Sequence, residues 1–253
     1  MTGRLFLLWQ MTRAAFLAEE KNSVLGLLWH LLNPLAMTAV LYLTFSNIGK
    51  PIAIERYPLF ILVGVIHFNF FANATSRAAE GMLRSRALVL NTTVPLELLV
   101  LRHICIEGLT LATELALVCL LIAITGGALG AAALGYLLVI AGLFMLTFGT
   151  GLLLATMAVF VTDVTYVWNM TTRMLFFLTP IFYSPDGIVR TPARIFMALN
   201  PLAGAITMAR DSLLYARASP FWATVEVVAG PLAVLVVGWK AFQRFKGRIP
   251  DYI

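Results

Sequence analysis

Glu107, Glu114, Arg173 and Glu226 are ionisable side chains set inside long apolar stretches of a 253-residue sequence. A charge held in hydrocarbon costs at least ~2.5 kcal/mol even on the lenient insertion scale, so each of these groups requires a partner or water. Glu107 and Glu114 share one face of a helix, and either could pair with Arg173 on a later segment. That arrangement suits an interhelical ion pair or the polar lining of a water-filled path. An acidic proton relay would need carboxylates facing the path from more than one segment. Other chemistry is poorly supplied. The sequence contains no Gly-x-x-x-x-Gly-Lys-Ser/Thr, and Gly149-Thr150-Gly151, which has no lysine, suits close helix packing instead. The phosphate-cradling route to ATP hydrolysis is therefore missing from the chain. His30, His67 and His103 lie on different segments without metal-ligand spacing, which points to hydrogen-bonding roles. Cys105 and Cys119 fall in one apolar stretch and support neither a disulfide framework nor a zinc site. No catalytic residue and no metal ligand is assigned.

Aromatic side chains form a second candidate constellation. Tyr42 and Phe45 lie on one apolar segment, Phe68, Phe70 and Phe71 on the next, and Phe176, Phe177, Phe182 and Tyr183 on a later one. Interfacial belts and lipid-facing packing account for most such residues in membrane proteins. The alternative is a channel wall, since the C–H faces of sugar rings stack on aromatic side chains and could slide past them.

The elements that must position these groups are membrane helices. Hydrophobic residues make up 60% of the sequence and charged ones 12%, with a mean hydropathy of +0.90; soluble domains carry about 25% charged residues. A ~30 Å hydrocarbon core takes about 20 helical residues per crossing. The apolar runs are continuous rather than alternating, which excludes a β-barrel. Six crossings are predicted, at about 25–45, 57–74, 104–125, 134–160, 164–183 and 221–239. The fold expected is a single all-α integral membrane domain over residues 1–253. Residues 1–24, with Trp9 among basic residues, read as an amphipathic helix at the interface. Residues 77–103 form a polar connection, and 184–220 contain apolar pieces too short to cross, read as external re-entrant or surface helices.

Six crossings place both termini on one side. Lys and Arg number eleven on that side and six on the other, so the positive-inside rule makes the termini cytoplasmic. The net charge of +6 is thereby read as topology and not as a nucleic-acid surface.

Several stretches together carry a resemblance that covers nearly the whole chain. They are Lys21-Asn22-Ser23-x-Leu25-Gly26-x-x-Trp29-x-x-Leu32-x-Pro34, Phe160-x-x-Asp163, Thr179-Pro180-Ile181-x-Tyr183 and Asn200-Pro201. In this order and spacing the chain resembles the membrane permease subunit of ABC-type polysaccharide exporters, the family that moves lipid-linked O-antigen, teichoic acid or capsule. The resemblance implies a homodimer in the bacterial cytoplasmic membrane, joined to two copies of a separate cytoplasmic ATPase that binds ATP and Mg. It implies an ATPase-coupling helix in residues 77–103, with Arg84, Arg86, Leu88, Val89 and Asn91 as contacts. It also implies a path lined by the first and fifth spans, with Tyr42, Phe45, Arg173, Phe176, Phe177 and Tyr183 along it. Arg4 and Arg13 would draw in the anionic headgroup of a lipid-linked glycan. Thr162 stands where relatives often carry an arginine before the aspartate of this turn. An ABC exporter of drugs or lipids shares the same plan. An intramembrane enzyme built on Glu107 and Glu114 lacks a nucleophile and base paired in one segment.

Overall fold

The computed structural model describes residues 2–21, 26, 28–48, 54–91, 94–126, 130–184, 197 and 199–252. Among these residues the secondary structure is helical. The helices are α1 (Thr2–Lys21), α2 (Leu28–Ile48), α3 (Tyr57–Arg84), α4 (Arg86–Asn91), α5 (Leu96–Ile124), α6 (Tyr136–Phe160), α7 (Asp163–Leu178), α8 (Pro201–Leu213), α9 (Phe221–Phe245) and α10 (Ile249–Tyr252). Five of them, α2, α3, α5, α6 and α9, are long and apolar enough to cross a membrane. The fifth predicted span is α7, whose 16 residues reach only about 24 Å. It stops because Pro180 has no N–H to continue the ladder and biases Thr179 away from helix; Thr179 is extended at ψ 138°.

Three of the spans are longer than hydropathy predicts, α9 by running on to Phe245. α3 runs on to Arg84, because Ala78, Ala79 and Met82 are fully buried on one face while Glu80 and Arg84 pair across a turn of the other at 2.9 Å. α5 begins at Leu96, eight residues before the expected start, with Leu96, Leu99 and Val100 buried.

α3 is the central post, its residues 59–68 buried without a break, as an all-round hydrophobic helix must be. α2, α5, α6, α7 and α8 pack around it, and α9 lies against α6. α6 and α9 run parallel and meet backbone to backbone. A Cβ on Gly149 would stand 2.6 Å from the Leu235 backbone, and one on Gly238 or Gly142 would collide with the carbonyl oxygens of Gly149 and Val227. Gly151 turns to Ala78 of α3, where a Cβ would lie 3.2 Å away. The Gly149-Thr150-Gly151 stretch is thus a packing element. Cys105 and Cys119 are free and half-buried along α5. His67 is fully buried between α3 and α6: its Nδ1 donates to the Val63 carbonyl at 2.7 Å, leaving Nε2 to accept from the Tyr136 hydroxyl at 2.8 Å.

One end of the bundle carries Arg84, Arg86, Lys240 and Arg244 and is called the basic end. Lys246 bridges Glu97 there at 2.7 Å, tying the end of α9 to the start of α5. α1 packs against α5, with Thr12 buried and Leu5, Phe6, Trp9 and Leu17 exposed.

Candidate functional site

The end opposite the basic one is closed by a joint built on Arg210. Past Pro180 the carbonyls of Pro180 and Ile181 have no helix partner and lie in the interior, where an unmet acceptor is costly. Arg210 of α8 supplies the donors. Its Nη1 donates to the Pro180 carbonyl at 2.7 Å, Nη2 to Ile181 at 2.8 Å and Nε to Phe60 of α3 at 3.1 Å. The guanidinium lies 3.5 Å from the centroid of the Phe60 ring, a cation–π contact in a site that is only 2% exposed. Gly64 makes the room: a Cβ there would sit 2.6 Å from Nη2 and 3.1 Å from the Ile181 oxygen. Asn200 completes the joint. Its Oδ1 accepts from the Leu202 N–H at 3.1 Å as the cap of α8, its Nδ2 donates to Thr179 Oγ1 at 3.2 Å, and Pro201 follows at the first helical position. Thr179-Pro180-Ile181 and Asn200-Pro201, distant in sequence, are two halves of one contact. Beyond α8, burial pushes the Tyr215 phenol above its ordinary value, partly opposed by Arg210.

Around this joint the predicted aromatic residues converge on Phe182. Phe45 of α2 stacks on it at 4.3 Å between centroids, Phe176, Phe177 and Tyr183 surround it at 6.4, 6.2 and 5.2 Å, and Tyr57 donates its hydroxyl to the Phe182 carbonyl at 2.7 Å. Tyr42 joins through Tyr57 at 6.0 Å. Five of the six predicted path residues therefore stand at one end of the bundle as a single cluster.

Arg173 stands apart from them. It lies about 15 Å along α7 from Asp163, on an exposed face that also carries Tyr166, Met170, Met174 and Phe177. Arg173 pairs with neither Glu107 nor Glu114, the ion-pair alternative that the sequence left open. Glu107 is taken by Arg77 of α3, Nε to Oε1 at 2.7 Å, one turn of α5 from its end of the polar connection. Glu114, two turns further, is buried. The opposite face of α7 is fastened to α3 by Trp168 Nε1 donating to Thr75 Oγ1 at 3.0 Å and Ser76 Oγ donating to Asn169 at 2.9 Å.

At the basic end the predicted coupling segment, residues 77–103, divides among the end of α3, the short helix α4 and the start of α5. Arg84 and Arg86 are exposed, whereas Val89 packs against the core and Leu90, not singled out by sequence, is 51% exposed. The side chains of Leu88 and Asn91 lie outside the described residues, as does that of Arg4; Arg13 is exposed on α1. Of the motif leading into the first span, residues 22–25 and 27 also lie outside them, but Gly26 takes a left-handed turn at φ 44° that favours glycine, and its carbonyl accepts from Trp29 N–H at 3.1 Å.

Arg210 is the residue that sequence reading missed. It sits in an apolar stretch too short to cross, so no insertion cost drew attention to it. The signal available was Pro180 in an apolar run, which frees carbonyls that something must satisfy.

The chain is thus a bundle of apolar helices with a short connecting helix at one end and a proline-broken helix at the other. Residues 7–214 match the family model described as ABC-2 type transporter, and the chain belongs to that family. It is similar to two O-antigen export system permease proteins RfbA of Klebsiella pneumoniae, each 24% identical over 253 residues, covering 99% of this chain and 96% of theirs. A third relative of the same description, from Myxococcus xanthus, is 26% identical over 244 residues, covering 93% of this chain and 89% of its own.

Proposed function

We propose that this chain is the membrane subunit of an ATP-driven exporter that carries lipid-linked polysaccharide of the O-antigen kind outward across the bacterial cytoplasmic membrane. The named relatives support the cargo class. In this reading two copies form the path and two copies of a separate ATPase, holding ATP and Mg, drive it. The observation that carries it is Arg173: a guanidinium on an exposed face of α7 at membrane depth, with no ion pair among the described residues. Lipid does not accept such a group, whereas a water-filled seam between two copies does. A pyrophosphate or an acidic sugar passing along that seam meets its charge, and sugar rings meet the aromatic cluster around Phe182. Arg4 and Arg13 are proposed to attract the headgroup at the cytoplasmic face, with both termini on that side.

The test is Arg173→Gln in cells and in the purified complex. Assembly with the ATPase should equal that of wild type while lipid-linked glycan accumulates inside. A variant that fails to assemble would move Arg173 from the path to the scaffold. Copies carrying Arg173→Cys should also cross-link to each other across the seam, and absence of that product would count against α7 as the dimer element.

A further inference from the structure

The backbone crossing of α6 and α9 at Gly149 and Gly238 leaves a cleft of about 310 Å³ beside it, lined by Phe148, Leu235, Val236, Trp239 and Lys240. Phe148 and Trp239, their rings in contact at 6.5 Å between centroids, form one side of it. The cleft opens sideways on the outer face of the bundle, since Val236 and Trp239 are each 42% exposed. Its basic end is marked by two cations. Lys240 lines the cleft with its alkyl stem and carries its ammonium outside it, and Arg244, four residues on, follows on the same face of α9. Both are exposed, and neither forms an ion pair among the described residues, in contrast to Lys246 two positions further, which is tied to Glu97.

We propose that this cleft holds one anionic phospholipid of the bilayer, its acyl chain along Phe148, Leu235, Val236 and Trp239 and its phosphate between Lys240 and Arg244. Charge decides the occupant. The apolar lining suits a hydrocarbon chain, and the two cations at its basic end, without ion pairs among the described residues, favour an anion beside it. A phospholipid joins an apolar chain to an anion, as an apolar cleft with cations at one end requires. A zwitterionic headgroup already carries its own cation, so an anionic one gains more from the pair. The site lies on the α6–α9 face, away from the Arg210 joint and the exposed face of α7, and needs only that α6 and α9 cross a bilayer; it stands whether or not the cargo is a glycan.

The full-length chain is reconstituted in phosphatidylcholine nanodiscs containing trace phosphatidylglycerol or phosphatidylcholine with the same photoreactive acyl chain, and labelled peptides are mapped. Residues 235–240 should be labelled more by the phosphatidylglycerol probe, by about fivefold for each basic side chain engaged. Lys240→Gln/Arg244→Gln should bring that labelling down to the phosphatidylcholine level, and Val236→Trp, which fills the cleft, should remove labelling by both. Salt gives a check that needs no substitution, because raising ionic strength should erode the preference in the wild-type chain. Equal labelling by the two probes in wild type, or a preference unchanged by salt and by the double substitution, would overturn the proposal. So would efficient cross-linking between copies through Val236→Cys, which would make the cleft a protein interface.

Discussion

Arg210 and Arg173 are both single arginines in apolar surroundings, and they meet that situation in opposite ways. Arg210 gives three of its nitrogens to carbonyls of three chain positions, so its charge is dispersed into peptide dipoles and one aromatic face. Replacing it with methionine leaves at least the Pro180 and Ile181 carbonyls buried without donors, a loss of roughly 1–3 kcal/mol each. Arg210→Met should therefore unfold at lower temperature in detergent and accumulate less in the membrane. Arg210→Lys should fall between, because an ammonium cannot reproduce the planar fork. Gly64→Ala should resemble Arg210→Met, since its Cβ occupies the space of Nη2; thermal unfolding of all three in one detergent checks the order. An unchanged midpoint in Gly64→Ala would mean that the guanidinium has another way to sit. The need for a buried arginine here arises from tertiary structure: Pro180 is legible in sequence, but which donor reaches its freed carbonyls depends on where α8 folds back. Glu107 teaches the same lesson, for its requirement for a cation was legible, while the choice of Arg77 over Arg173 follows from α3 lying beside α5.

At the scale of elements, hydropathy located the apolar segments and misjudged their ends. The apolar windows near 57–74 and 104–125 mark only the uniformly greasy parts of α3 and α5. Both helices continue through polar sequence because one face stays buried, which leaves α4 as a tight six-residue helix between them. That geometry sharpens the coupling expectation. Val89 turns to the chain's own core and Leu90 outward, so Leu90→Asp should abolish copurification of the ATPase while leaving the permease folded. Val89→Asp should instead reduce the yield of the permease itself. Arg84→Ala should have little effect on either, as its pair with Glu80 is solvent-exposed and worth a few tenths of a kcal/mol. Gel filtration and ATPase recovery from the same preparations distinguish the three; ATPase retained at wild-type level by Leu90→Asp would remove α4 from the contact. The joint of Thr179-Pro180-Ile181 with Asn200 was present in sequence as two separate motifs, and only the folded chain brings them into contact.

For the whole molecule, the proposed six crossings and the eleven-to-six charge count predict cytoplasmic termini. Site-directed labelling checks this once Cys105 and Cys119 are replaced. Ala218→Cys, in an exposed position before α9, should react with an impermeant maleimide added outside intact cells, and Ala87→Cys, exposed in α4, should react only after permeabilisation. The reverse pattern would invert the molecule and place α4 away from any cytoplasmic ATPase. α7 counts as a crossing in this scheme despite its 16 residues, which is why helix length identifies five spans and the apolar runs of the sequence six.

The two ends of α7 are held very differently. The Arg210 joint pins the distal end through buried bonds to α3 and α8, while the proximal half is held through Trp168 and Asn169. Mechanically α7 is a strut anchored at two points, Pro180 at one end and the Trp168–Asn169 turn near the other. A displacement applied at Asp163 reaches the aromatic cluster only after the Trp168 and Asn169 bonds to α3 are broken, so those two bonds set the load under which the tip loses its register.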